Sequence, residues 1–304
     1  MRIGVTGASG FIGEQLTQSL GERGDTVVPF VRPTTPRRTG PTIRWDPSQG
    51  LVDESDLRAV GRLDAVVNLA GVGIGDRRWN TRRKQEILSS RVQSTTLLAH
   101  VARTLNEGVG LVASASALGW YGDRGDEQLD ESSSPGAGFL AEVCREWEGA
   151  TQPLTDDGVP VAHLRTGIVL SSSGGALARQ LPMFRLGLGA TLGAGRQWMS
   201  PIALSDEVRA IEWVVDHELS GPLNLVAPTP VTNADFTRLL ASALGRPSFL
   251  RVPKVALRVA LGGEMADELL LTSQRVVPRR LLESGFAFVG PDTATALARE
   301  LSPA

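Results

Sequence analysis

Apolar positions along the chain fall into short continuous runs separated by stretches of helical spacing. Arg2-Ile3-Gly4-Val5-Thr6 is a run that ends in a glycine-rich turn. Beyond it Phe11, Ile12, Leu16 and Leu20 recur at helical spacing over residues 11–22, and Gly24 stands just past them as a stop signal. Residues 26–31 predict a second buried strand, followed by a turn-rich segment with Pro33, Pro36, Gly40, Pro41 and Pro47. Residues 63–69 and 109–113 read as strands on either side of a long helix over 80–105. A helix over 139–155 and a strand over 159–170 complete the alternation. Such alternation predicts a Rossmann-type α/β fold: a doubly wound parallel sheet with right-handed crossovers and helices on both faces.

The alternation weakens after Leu170, where loops take over before helices near 233–244, 255–261 and 265–271. The expected organisation is a dinucleotide-binding domain over 1–170 and a smaller C-terminal substrate lobe over 171–304. Parts of that lobe are expected to pack back on the sheet. Ser205 is expected to cap a helix with Asp206 in its first turn.

Composition narrows the function classes. Of 304 residues 41% are apolar and 21% charged, enough for a sizeable core. The net charge of −2 argues against nucleic acid as a main partner. Cys144 is the one cysteine, so no intrachain disulfide can form. The first strand begins at Arg2, which leaves no room for a signal peptide, and no apolar stretch has the length of a membrane span. A soluble, cytoplasmic protein is the expectation.

The candidate chemistry starts in the first turn, Thr6-Gly7-Ala8-Ser9-Gly10-Phe11-Ile12-Gly13. Gly7 permits the tight turn, Gly10 lets the backbone approach a pyrophosphate, and Gly13 lets helix and strand pack closely. The helix that begins at Phe11 turns its free N–H groups towards the phosphates. An NAD site places an acid on the ribose 2′-OH about 20 residues further on. Here the second strand ends in Val31-Arg32-Pro33, and no acid occurs before Asp46. Arg32 carries a planar fork of donors suited to a 2′-phosphate, with Arg37 and Arg38 near it in sequence; the alternative is a surface arginine at a strand end. The expected cofactor is NADP.

The G-x-x-G-x-x-G spacing resembles the extended short-chain dehydrogenase/reductases. In that superfamily Asn68-Leu69-Ala70-Gly71 would line the adenine-ribose side of the cofactor. Members carry a Tyr-x-x-x-Lys pair on a helix, where the ammonium lowers the phenol pKa for proton transfer. This chain has one tyrosine, Tyr121, and Gly125 stands four residues on, so the pair is absent. Alignment on the relevant helix puts Phe139 and Val143 at the two positions. Ser116, and after it Ser114, are the candidates for the catalytic serine beyond the 109–113 strand, and Tyr121 is the phenol that could replace the missing acid. Each has a plain structural alternative: a backbone cap for the serines, a half-buried aromatic for Tyr121. Cys144 reads as a small buried hydrophobe, His163 as core, and His100 and His217 as peripheral.

Several further stretches carry a closer likeness. They are Thr42-Ile43-Arg44-Trp45-Asp46-Pro47, Arg77-Arg78-Trp79, Ser90-Arg91-Val92, Trp147-Glu148, Arg165-Thr166-Gly167-Ile168-Val169-Leu170 and Gly245-Arg246-Pro247. With these the chain resembles the atypical extended family called nucleoside-diphosphate-sugar epimerase-like. The resemblance implies NADP(H) contacts at the glycine loop with Ser9, Phe11 and Ile12, at Val31 and Arg32, at Leu69, Ala70 and Gly71, at Glu86 and Arg91, and at Ser114 and Val169. It implies an epimerase or reductase acting on a nucleotide sugar or another carbonyl or hydroxyl compound. A catalytically degenerate NADP(H)-binding protein that works through partners is the alternative. Trp198, Met199, Arg179, Arg185 and Arg196 are expected on the substrate side, where the arginines would suit an anion or would be plain surface charge.

Overall fold

The computed structural model describes residues 1–36, 40–105 and 108–301. Its spine is an eight-stranded sheet. The strands are β1 (Arg2–Thr6), β2 (Thr26–Val31), β3 (Ile43–Asp46), β4 (Leu51–Val52), β5 (Leu63–Asn68), β6 (Val109–Ala117), β7 (Val161–Thr166) and β8 (Gly221–Leu225). They lie in the order β8-β7-β6-β5-β1-β2-β3-β4, and all pairs are parallel except β3 with β4. The central strands are buried on both faces, which explains their continuous apolar runs.

Helices cover both faces. On one, α1 (Phe11–Glu22) and α7 (Leu204–Asp216) bury Leu16, Leu20, Val208, Ile211 and Val214 against Ile3, Val5, Val67 and Leu111. On the other, α2 (Glu54–Val60) and α3 (Thr81–Thr104) bury Leu57, Leu97, Leu98 and Val101 against Val28, Val66 and Val112. A separate apolar cluster joins α6 (Gly175–Arg185) to α8 (Asn233–Ala243) through Leu177, Leu181, Phe236 and Leu240.

Four differences between the expected and the observed elements bear on the site and its frame. Strand β6 runs on to Ala117, so Ser114 and Ser116 lie inside it and not beyond its end. The helix expected over 139–155 is two: α4 (Phe139–Gly149) ends and α5 (Gln152–Asp156) restarts with proline in its first turn. The strand expected over 159–170 breaks at Gly167. There a Cβ would lie 2.3 Å from the Ser200 carbonyl oxygen, and Ile168–Leu170 leaves the main sheet to pair with Pro201–Ala203. Ser205 is not a cap, since α7 starts at Leu204 after Ala203. Asp206 is fully buried and accepts from the N–H groups of Val289 and Gly290, tying the C-terminal segment to α7.

Candidate functional site

The strand order reverses between β1 and β5, and ligands of open α/β sheets bind at such a switch point beyond the strand ends. A buried polar network fixes its floor. The Thr6 hydroxyl donates to Asn68 Oδ1 at 2.7 Å and accepts from the backbone N–H groups of Leu69 and Ala70, each at 3.1 Å. Asn68 Nδ2 in turn reaches the Thr95 hydroxyl at 3.0 Å and the Ser114 hydroxyl at 3.3 Å. Ser114 is therefore part of this floor. The Thr6 and Thr95 contribution is invisible to motif reading, although a hydroxyl immediately before Gly7 was its one available sign.

Above the floor the first turn closes with Gly10 N–H on the Gly7 carbonyl at 2.8 Å. Gly7 sits at φ +65°, and a Cβ on Gly13 would lie 2.2 Å from the Gly7 oxygen. Among the described residues no side chain caps α1, so the N–H groups of Phe11, Ile12 and Gly13, at the helix start, remain for a ligand. Ser9 is exposed at the tip of the turn. The Phe11 ring leans away onto Gly174, where an added Cβ would meet it at 2.4 Å, close to the strand that carries the half-buried Val169.

Val31 is half-buried at the end of β2 and pairs with Arg44. Arg32, with a side chain 59% exposed, donates from Nη1 to Asp46 Oδ1 at 2.9 Å. Arg37 and Arg38 lie outside the described residues. Glu86 is held by Arg83 and Arg82 at 3.2 and 3.0 Å, and these bonds keep its carboxyl below the usual range. Arg91 bonds the Ile87 carbonyl at 3.0 Å and lies over the Trp147 ring. A Cβ on the exposed Gly71 would be 3.5 Å from its guanidinium carbon, and burial pushes the Arg91 pKa down to about 10.

The two hydroxyls nominated for catalysis belong to one buried cluster. Arg165, 3% exposed, clasps Glu148 with Nε at 2.9 Å and Nη2 at 3.0 Å. Ser116 donates to the same Glu148 at 2.7 Å. Arg165 Nη1 donates to the Tyr121 hydroxyl at 3.2 Å, and that hydroxyl donates to Asn224 Oδ1 at 2.7 Å. Tyr121 is fully buried, and burial drives its pKa up to about 12. His163, half-buried, meets the Thr151 hydroxyl at 2.9 Å, and burial lowers its pKa.

On α4, Leu140 and Cys144 lie nearest the turn that follows β6, while Phe139 and Val143 lie on the neighbouring face. A Cβ on Gly119 would meet Leu140 Cβ at 3.0 Å and Cys144 Sγ at 3.3 Å. Phe139 and Val143 turn instead to Ile87 and Trp79, because residues one apart on a helix point about 100° from each other. Burial pushes the Cys144 thiol up to about 11. A small cavity of about 170 Å³ borders this place, with Gly119, Leu140, Asp123, Glu268 and Gln274 in its wall. Glu268 reaches in from the C-terminal lobe and accepts the N–H groups of Phe139 and Leu140, both at 2.7 Å.

The residues expected on the substrate side are not in that wall. Arg179 is exposed and bonded to Gly75 and Asp76; Arg185 and Arg196 are exposed. Trp198 donates to Asp126 at 2.9 Å, and Met199 packs in the lobe. Among the described residues no group of His, Cys, Asp and Glu is placed to hold a metal ion. No helix among them is long and apolar enough to cross a membrane.

A parallel sheet with a glycine cradle at its switch point defines a nucleotide-binding protein of the short-chain dehydrogenase/reductase type. The chain belongs to the NAD dependent epimerase/dehydratase family, which it matches over residues 3–225, with a domain of unknown function matched over 252–300. It is 45% identical over 287 residues to an epimerase family protein of Mycobacterium tuberculosis, covering 94% of this chain and 93% of that one. The crystal structure of human epimerase family protein SDR39U1 with NADPH superposes with a TM-score of 0.88 at 33% identity, over 98% of each chain. A nucleoside-diphosphate sugar epimerase from Corynebacterium glutamicum gives a TM-score of 0.77 at 37% identity, and this chain spans 58% of its length.

Proposed function

We propose that the protein binds NADP(H) across the switch point. The observation that carries this is the cradle itself: at Gly7 and Gly13 a Cβ would collide with backbone, while the uncapped start of α1 presents its N–H groups. Arg32 supplies the guanidinium for a 2′-phosphate, and the human relative crystallised with NADPH supports that choice. When bound, the cofactor would supply hydride transfer. The residues around it position its diphosphate and ribose; Gly71 and Arg91 flank the ribose side. Fluorescence titration of ligand-stripped protein with NADPH is the test. Micromolar or tighter uptake, weakened by Arg32→Asp, is expected; no uptake refutes the proposal.

The reaction we infer is NADP(H)-linked oxidoreduction or epimerisation of a small carbonyl or hydroxyl compound, nucleotide sugars included. The proton cannot come from a Tyr-x-x-x-Lys pair, since the chain has none. One observation favours a second reading, a cofactor-binding protein without turnover: the Ser116 and Tyr121 hydroxyls are each engaged in the buried Arg165 cluster. Oxidation of bound NADPH on addition of candidate substrates, with product analysis for a redox-neutral epimerase, separates the two. The single buried, free cysteine suits a reducing compartment, and we place the protein in the cytoplasm.

A further inference from the structure

Counting along the chain removes the acid of an NAD site, because Asp46 comes 14 residues after Arg32. The sheet brings it back. Strand β3 lies parallel to β2 with Phe30 opposite Ile43 and Val31 opposite Arg44, so the ends of the two strands meet. Asp46, the last residue of β3, stands against Arg32, just past the end of β2. Its Oδ1 accepts three bonds: Arg32 Nη1 at 2.9 Å, Ser48 N–H at 3.0 Å and the Ser48 hydroxyl at 2.6 Å. Neither Arg32 nor Ser48 bonds Oδ2, the Gln49 N–H also faces the carboxylate, and the side chain is 25% exposed. The neighbouring cation, Arg44, is already committed to Asp53 and Asp56. Hydrogen bonds from Ser48 hold the Asp46 carboxyl below the usual range, so it is ionised at neutral pH.

We propose that Asp46 sets the balance between the two nicotinamide dinucleotides, bracing Arg32 through one oxygen and offering the other to an unphosphorylated ribose. The proposal rests on the NADP(H) reading above. For NADPH, the Nη2 and Nε donors of Arg32, which meet no acceptor among the described residues, face the 2′-phosphate, while the Asp46 charge opposes it. For NADH, Oδ2 accepts the 2′-OH, the role an acid at the end of β2 plays elsewhere. One carboxylate therefore disfavours the phosphate and favours the hydroxyl, and the chain takes both cofactors with a blunted preference.

The test is calorimetric titration of ligand-stripped protein with NADPH and with NADH. The wild-type chain is expected to bind both. Asp46→Asn is expected to weaken NADH about tenfold, the worth of one charged hydrogen bond, and to leave NADPH unchanged or tighter. Asp46→Glu keeps the carboxylate and is expected to stay within about threefold of the wild-type ratio. Arg32→Ala moves the ratio the other way by weakening NADPH alone. Equal weakening of both cofactors by Asp46→Asn, an unchanged ratio, or no measurable NADH uptake by the wild type overturns the proposal. A wild-type chain that binds neither dinucleotide refutes the NADP(H) reading itself, and this proposal falls with it.

Discussion

Replacing Glu207 by glutamine should make the protein more stable at neutral pH and remove a pH dependence that the wild type carries. Glu207 is fully buried near the start of α7. Its Oε1 accepts the Thr166 hydroxyl at 2.8 Å, and its buried Oε2 has no partner among the described residues. Burial raises its pKa from 4.5 to about 8. The folded state therefore favours the protonated acid. That contribution is fully present below the unfolded pKa and is lost as pH rises towards the folded one. At pH 7 the difference amounts to roughly 3 kcal/mol, at 1.36 kcal/mol per pKa unit. Glutamine keeps the bond from Thr166 but leaves an amide N–H unbonded at a cost of about 1 kcal/mol. A net gain of roughly 2 kcal/mol at neutral pH follows. Near pH 5 the same variant should be no more stable than the wild type. Urea unfolding of both proteins at several values between about pH 5 and pH 8 measures this. Parallel stability curves would refute the reasoning, because they would mean that Glu207 binds no extra proton on folding.

Two further substitutions probe the cradle and the buried cluster. Gly13→Ala places a Cβ 2.2 Å from the Gly7 carbonyl oxygen and should weaken NADPH at least about tenfold. Gly21→Ala, with nothing within 4 Å of its Cβ in the same helix, should leave binding intact and add about 0.5–1 kcal/mol of stability; equal titrations for both variants would discount the cradle. Glu148→Ala strands the buried Arg165 and should cost about 3–5 kcal/mol, whereas Tyr121→Phe should cost about 1–2 kcal/mol and leave cofactor affinity alone. If Tyr121→Phe instead abolished NADPH oxidation at unchanged melting temperature, Tyr121 would be catalytic and not structural.

The fold was legible because its signal is local. Apolar runs with glycine between strand and helix mark β1, α1 and β2 directly, and the observed α1 has the expected ends. Boundaries failed where tertiary contact decides. Gly167 bends its strand because the Ser200 carbonyl lies too close for a Cβ, and Ser200 is distant in sequence. The polar groups that matter most at the site are paired across separations that local pattern does not span: Thr6 with Asn68, Arg32 with Asp46, and the N–H groups of Phe139 and Leu140 with Glu268. Such partners announce themselves only after the sheet has been assembled.

The outermost parallel strand, Gly221–Leu225, and the helix Leu204–Asp216 are supplied by the second half of the chain but complete the sheet of the first. A fragment ending at Leu170 would bare the hydrogen-bonding edge of Val161–Thr166 and strip the apolar cover from Ala162 and Leu164, a surface prone to stick to other chains. The nucleotide half is thus no detachable cassette. Whatever loosens the later half, heat or a clipped terminus, should release the bound dinucleotide in the same cooperative step.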